Sequence, residues 1–189
     1  MLKSLCLQGR FLRLEPLSDG HKDALRAACD ADAEIWTLYP VNMAGDGFNP
    51  WWAGMEARVE SGAALAYAVV VDGVAVGCSV FSIDAPNRIV EIGNTYFHPK
   101  ARGGVANPES KRLMLAHAFD GGAICVQFKV DALNLRSRAA VKKLGAHEDG
   151  ILRATRITWT GRVRDTVVFS ILADEWPAVR SDLDARLAK

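Results

Sequence analysis

The sequence predicts a mixed α/β layer, a mainly antiparallel sheet flanked by helices, and three observations predict it. Asp72-Gly73 stands between two β-rich runs, residues 65–71 and 74–83, and two such residues between strands demand a type I′ hairpin turn. Ile124, Val126, Phe128 and Val130 alternate as a strand. Helical stretches with caps precede and follow that strand, so crossovers are confined to the middle of an otherwise antiparallel chain.

The elements follow in order. Phe11, Leu12, Leu14 and Leu17 suggest a first strand over residues 10–17. Ser18 or Asp19 caps a helix carrying Ala24, Leu25 and Ala28. A second helix is expected from Pro50 to Ser61, closed by Gly62. After the hairpin a strand runs over residues 88–97. Asn107 is placed as the N-cap of the next helix, with Pro108 in its first turn, and that helix reaches Asp120. Beyond the alternating strand, Asn134 caps a helix over residues 135–144 that Gly145 stops. Residues 151–159 and 164–172 pair around Thr160-Gly161, and Asp174 caps a last helix ending at Leu187.

At 189 residues, with no repeat, low-complexity tract or linker, the chain reads as one domain over residues 1–189. A net charge of +1 gives no global field for nucleic acid or a membrane surface. Cys6, Cys29, Cys78 and Cys125 form no CxxC pair, and neither they nor His21, His98, His117 and His147 are spaced as metal ligands. No metal is expected. The N-terminal residues are too short and interrupted for a secretory signal, which makes the cytoplasm the expected compartment. Oligomeric state is not encoded legibly; a homodimer is the base-rate expectation.

The most informative segment is FHPKARGGVANPESKRLMLAHAF, starting at Phe97. A strand end leads through a basic loop containing Arg102, Gly103 and Gly104 into a helix N-terminus, an arrangement whose free N–H groups and close backbone approach suit a pyrophosphate. The spacing is neither a Walker motif nor GxGxxG.

With a second strand and helix reading VDALNLRSRAAVKKLGA from Val130, the chain resembles the GNAT acyltransferases, closest to the RimJ/RimL branch. The resemblance covers nearly the whole chain, and its most specific part is Asn134 with Ser137, Lys143, Leu144 and Gly145. It implies a sheet splayed between the fourth and fifth strands, with acetyl-coenzyme A in the split. By resemblance, the backbone at Tyr96 and Phe97 bonds the pantetheine arm, and Arg102, Gly103, Gly104, Val105, Ala106 and Asn107 hold the pyrophosphate. Asn134 meets the pantetheine, and Arg136 or Arg138 reaches the adenosine phosphate. Val105 departs from the family pattern, which often has a second glycine there, and so costs the loop backbone freedom.

The resemblance also implies transfer of an acetyl group to a primary amine, of a protein N-terminus or a small molecule. Roughly one α-amino group in seven is neutral at pH 7, against about one lysine in 2500, so an N-terminal amine asks little of a base. Ser137 is the candidate proton donor to the leaving sulfur: it shares a helix face with Val141 and Leu144 and takes the place of the tyrosine many members carry at Val141. A serine that back-bonds a helical carbonyl fits the same position. Glu91, on one strand face with Gly93 and Thr95 if alternation is undisturbed, is the candidate base, or an ordinary strand carboxylate. The glutamate that RimL-type enzymes use aligns with Arg156. Trp36, Tyr39, Trp51 and Trp52 fall where the family roofs its acceptor channel, and fit either a substrate cage or core packing. The alternative from another class is an inactive module that senses acetyl-coenzyme A.

Overall fold

The computed structural model describes residues 2–188. Eight strands form one sheet in the order β1-β2-β3-β4-β5-β6-β8-β7. They are β1 (Leu7–Gln8), β2 (Arg13–Pro16), β3 (Ala64–Val71), β4 (Val74–Asp84), β5 (Ile89–Phe97), β6 (Cys125–Asp131), β7 (His147–Ile157) and β8 (Val163–Leu172). The helices are α1 (Lys22–Asp30), α2 (Phe48–Glu60), α3 (Ala106–Asp120), α4 (Leu135–Lys142) and α5 (Trp176–Leu187).

The Asp-Gly hairpin forms as expected, with Asp72 at φ 49° and Gly73 at φ 80°, both left-handed as a type I′ turn requires. Elsewhere boundaries shift for local reasons. The first strand is a small hairpin instead, because the Glu109 carboxylate accepts from the N–H groups of Arg10 (2.7 Å) and Phe11 (2.9 Å) and holds a tight turn between β1 and β2. Helix α1 follows a 3-10 turn (Asp19–His21) in which Ser18 and His21 cap each other reciprocally. Helix α3 begins at Ala106 with Val105 in the cap position, so Asn107 lies inside the helix rather than capping it. The cap position of α5 is Glu175, not Asp174. Strand β7 starts four residues earlier than the turn signal suggested, since His147 already pairs with Ser170.

All neighbours are antiparallel except β5 and β6, whose parallel pairing covers only Ile89↔Cys125, Val90↔Val126 and Glu91↔Gln127. Beyond Glu91 the two strands part. Counting without the two-residue β1, this is the expected split between the fourth and fifth strands.

Two apolar clusters cover the two faces. On one, Val90 and Ile92 of β5, Phe128 and Val130 of β6, and Val167 and Phe169 of β8 pack with Met114, Leu115 and Leu183 from α3 and α5. Val141 and Leu144 bring α4 onto this face. On the other, Cys78, Val80 and Tyr96 pack with Leu25, Trp36, Trp52 and Met55 under α1 and α2. Burying large aromatic and aliphatic side chains at about 1.5–3 kcal/mol each is what holds the helices to the sheet and keeps the split open only where β5 and β6 diverge.

Candidate active site

Pairing between β4 and β5 jumps from Cys78↔Tyr96 to Val80↔Gly93, so Asn94 and Thr95 together oppose Ser79. Asn94 takes a left-handed φ of 46°. This β-bulge inverts the alternation of β5: Val90 and Ile92 face α3 before it, and Phe97 does so after it. Glu91 and Thr95 therefore do not share a face, which corrects the undisturbed alternation expected from the sequence. The bulge is braced from both sides. Tyr39 Oη donates to the Thr95 carbonyl (2.7 Å) and the Cys78 thiol to that of Asn94 (3.3 Å). On the α3 side, Lys111 Nζ donates to Ser79 Oγ (2.9 Å) and Thr95 Oγ1 (2.5 Å), and those hydroxyls lie 2.7 Å apart.

Lys111 is the residue that sequence reasoning missed. It is 4% exposed and makes no ion pair among the described residues. Burial pushes its ammonium down to about 7, with only the Cys78 thiolate form opposing. A lysine one turn into a helix gives no sequence signal of burial; the nearest clue was that it shares a face with Met114, Leu115 and Ala118, at i+3, i+4 and i+7.

A cleft of about 1170 Å³ runs along the split. Its walls include Tyr96, Phe97, Arg102, Gly103, Gly104 and Asn107 from β5 and the loop, and Asn134, Arg136 and Ser137 from α4. The loop is built around Arg102. Its Nε donates to the Phe97 carbonyl (2.7 Å), its Nη1 pairs with Asp32, and the guanidinium lies 5.2 Å from the centre of the Tyr96 ring. Its Nη2 is buried with no partner. A buried guanidinium N–H without an acceptor fits a site that receives an oxyanion. Gly103 is left-handed at φ 79° and a Cβ there or at Gly104 would meet open space, so the turn needs glycine for conformation, not for clearance. Val105 adopts φ −78° and ψ −17°, ordinary helical values, so its side chain strains nothing. Val105 and Ala106 do not line the cleft with their neighbours.

Opposite the bulge, Asn134 Oδ1 accepts from the Ser137 N–H (3.0 Å) and caps α4. The half-buried Ser137 hydroxyl has no hydrogen-bond partner among the described residues, so the helical back-bond that the sequence also allowed is not made. Arg136 lines the cleft and pairs with no carboxylate among the described residues, whereas Arg138 turns away to Glu148 (3.8 Å) and the Ala132 carbonyl (3.2 Å). Of these two arginines, Arg136 is the one that lines the cleft.

Glu91 lines the cleft at the apex of the split, where β5 and β6 are still paired, and its carboxylate lies 3.0 Å from Lys129 Nζ. Tyr39 and Trp51 face the cleft from the α1 and α2 side. Trp36 and Trp52 do not: both are buried in the core, Trp36 donating to the Cys29 carbonyl (3.1 Å) and packing 4.6 Å from the Tyr96 ring. Their apolar area is worth more against α1 and β5 than at a cleft wall. Trp159 at the tip of the β7–β8 hairpin donates to the Trp36 carbonyl (2.8 Å), and Arg162 to that of Thr37 (3.3 Å), tying the hairpin to the segment after α1.

Comparison with known proteins agrees with this geometry. The family described as "Acetyltransferase (GNAT) domain" matches residues 12–147. The chain belongs to the GNAT acetyltransferases. A GCN5-related N-acetyltransferase from Brucella melitensis is 30% identical over 97% of this chain and 85% of its own, with a TM-score of 0.87. RimJ from Mycobacterium smegmatis, solved with CoA-disulfide, is 22% identical over 93% and 88%, with a TM-score of 0.78, and shares the fold. RimL, the ribosomal L7/L12 α-N-protein acetyltransferase, is 16% identical over 91% and 95%, at 0.79. Comparison with curated sequences gives no match. This GNAT enzyme is an acyltransferase. No helix among its described residues is long and apolar enough to cross a membrane.

Proposed function

We propose that this GNAT enzyme transfers the acetyl group of acetyl-coenzyme A to a primary amine, of a protein N-terminus or a small molecule. The observation that carries the reading is the braced bulge at Asn94–Thr95 facing the unpartnered Ser137 hydroxyl across the split, with the orphaned Arg102 Nη2 at one end. Acetyl-coenzyme A supplies an activated thioester; the remaining chemistry belongs to the chain. The turn at Gly103–Gly104, the first N–H groups of α3 and Arg102 Nη2 hold the pyrophosphate, and Arg136 meets the adenosine phosphate. Asn134, with its side-chain N–H₂ still free, and the β5 backbone orient the pantetheine arm.

Backbone N–H groups turned by the bulge stabilise the charge that develops on the carbonyl oxygen. Glu91 receives the proton of the incoming amine through water, and Ser137 Oγ gives one to the departing sulfur. The helical conformation of Val105 supports coenzyme binding, since no backbone strain works against it. Thiol release from acetyl-coenzyme A, followed across a panel of amines, tests the reading. Amine-dependent release supports it; release that no amine accelerates contradicts it.

A further inference from the structure

The two faces of the cleft differ in charge. Strand alternation places Glu91 of β5, Lys129 and Asp131 of β6, and Arg164 and Thr166 of β8 on the α1/α2 face, opposite the core residues Val90, Phe128, Val130 and Val167. The helix α4 groups assigned to the coenzyme lie on the other face. Four cations, Arg58, Lys129, Arg156 and Arg164, line the α1/α2 side against two carboxylates. Both carboxylates are already engaged. Glu91 is held by Lys129, and Asp131, 1% exposed, by Arg162 (2.5 Å) and Arg164 (3.8 Å). Arg58 is tied only to the Ser82 hydroxyl (2.7 Å), and Arg156 has no carboxylate partner among the described residues.

Arg156 and Arg164 stand directly opposite each other across β7 and β8. Like charges so placed repel; Asp131 offsets Arg164, and no carboxylate among the described residues offsets Arg156. The placement is imposed by a second irregularity. Residues 153–155 bulge against Asp165, whose carboxylate accepts from the Ala154 N–H (2.8 Å) while Ala154 takes a left-handed φ of 50°. The bulge thus sets Arg156 opposite Arg164, where an undisturbed register would set it opposite Arg162.

We infer that the acceptor carries an anionic group, a carboxylate or a phosphate near its reacting amine, which Arg156 binds beside the buried Arg164, on the side of the cleft that Arg58 also lines. This rests on the proposed transfer to an amine and names the class of amine. Guanidinium forks suit either oxyanion, and three cations without free carboxylates select against a cationic or neutral neighbour of the amine.

The test compares amines matched in size that bear a carboxylate, a phosphate or a neutral amide, with kcat/KM read from thiol release. Anionic acceptors are expected to be preferred by about 10-fold or more, the worth of one charge-assisted hydrogen bond, and the preference to shrink with added salt. The carboxylate and phosphate arms show which oxyanion is taken. Arg156→Gln and Arg58→Gln should each erode the preference through KM for the amine, with KM for acetyl-coenzyme A unchanged. Equal use of neutral amines, or a preference that survives both substitutions, would overturn the inference while leaving the transferase reading intact. Thiol release unmoved by every amine would overturn both.

Discussion

Replacing Lys111 with methionine should stabilise this enzyme at neutral pH and leave it unchanged near pH 9. The lysine is pushed from 10.5 to about 7 chiefly by burial, so in the folded state it is half neutral at pH 7, whereas the unfolded chain carries it charged. The unfolded state therefore binds more protons between those values, and the wild type gains stability as pH rises through that window. The cost of burying the group is about 4 kcal/mol at pH 7 and about 2 kcal/mol at pH 9. Methionine has a similar length and no charge, but it forfeits the bonds to Ser79 and Thr95, about 1 kcal/mol each. The two hydroxyls keep each other as partners. The net expectation is a gain of about 2 kcal/mol at pH 7 that vanishes by about pH 9. Urea unfolding of both proteins from pH 6 to 9 reads this directly. Curves that stay parallel in pH would refute the reasoning, because they would mean that Lys111 stays charged in the folded protein.

Three further outcomes follow from the same contacts. Ser137→Ala should lower kcat by about 10²-fold or more with acetyl-coenzyme A binding unchanged, measured by steady-state kinetics and calorimetry, since only proton donation is lost. Arg102→Ala should weaken coenzyme A in a salt-sensitive way while a phosphate-free pantetheine analogue is less affected; equal losses in calorimetry would deny Arg102 its phosphate role. Glu109→Ala should cost about 2 kcal/mol or more in urea unfolding, because two N–H groups of the β1–β2 turn lose a charged acceptor.

The fold was legible wherever a local signal and a tertiary need coincided. Asp72-Gly73 demanded its turn, Asn134 and Gly145 bounded α4, and the basic glycine loop announced a helix N-terminus. The cleft was legible along its loop and α4 for the same reason: Arg102, Gly103, Asn134 and Ser137, which line it, are bound to local motifs. What escaped depended on long-range contacts. The bulge at Asn94 is a register shift between strands and leaves no periodic trace in β5. Lys111 and Glu109 look like solvent-facing helix charges until β4 and the β1–β2 turn are laid against α3. Trp36 and Trp52 looked available for substrate because sequence shows aromatic content but not which side of the 3-10 segment Ala33–Leu38 or of α2 turns into the core.

The central claim is a coenzyme site in the split between β5 and β6, and thermal unfolding with saturating ligand tests it most directly. Acetyl-coenzyme A at a hundredfold above its Kd should stabilise the enzyme by about 2.7 kcal/mol, and acetyl-pantetheine without phosphates by much less at the same concentration. A shift in melting temperature with acetyl-coenzyme A alone is the predicted result. No shift, or the same shift with both ligands, would contradict the claim.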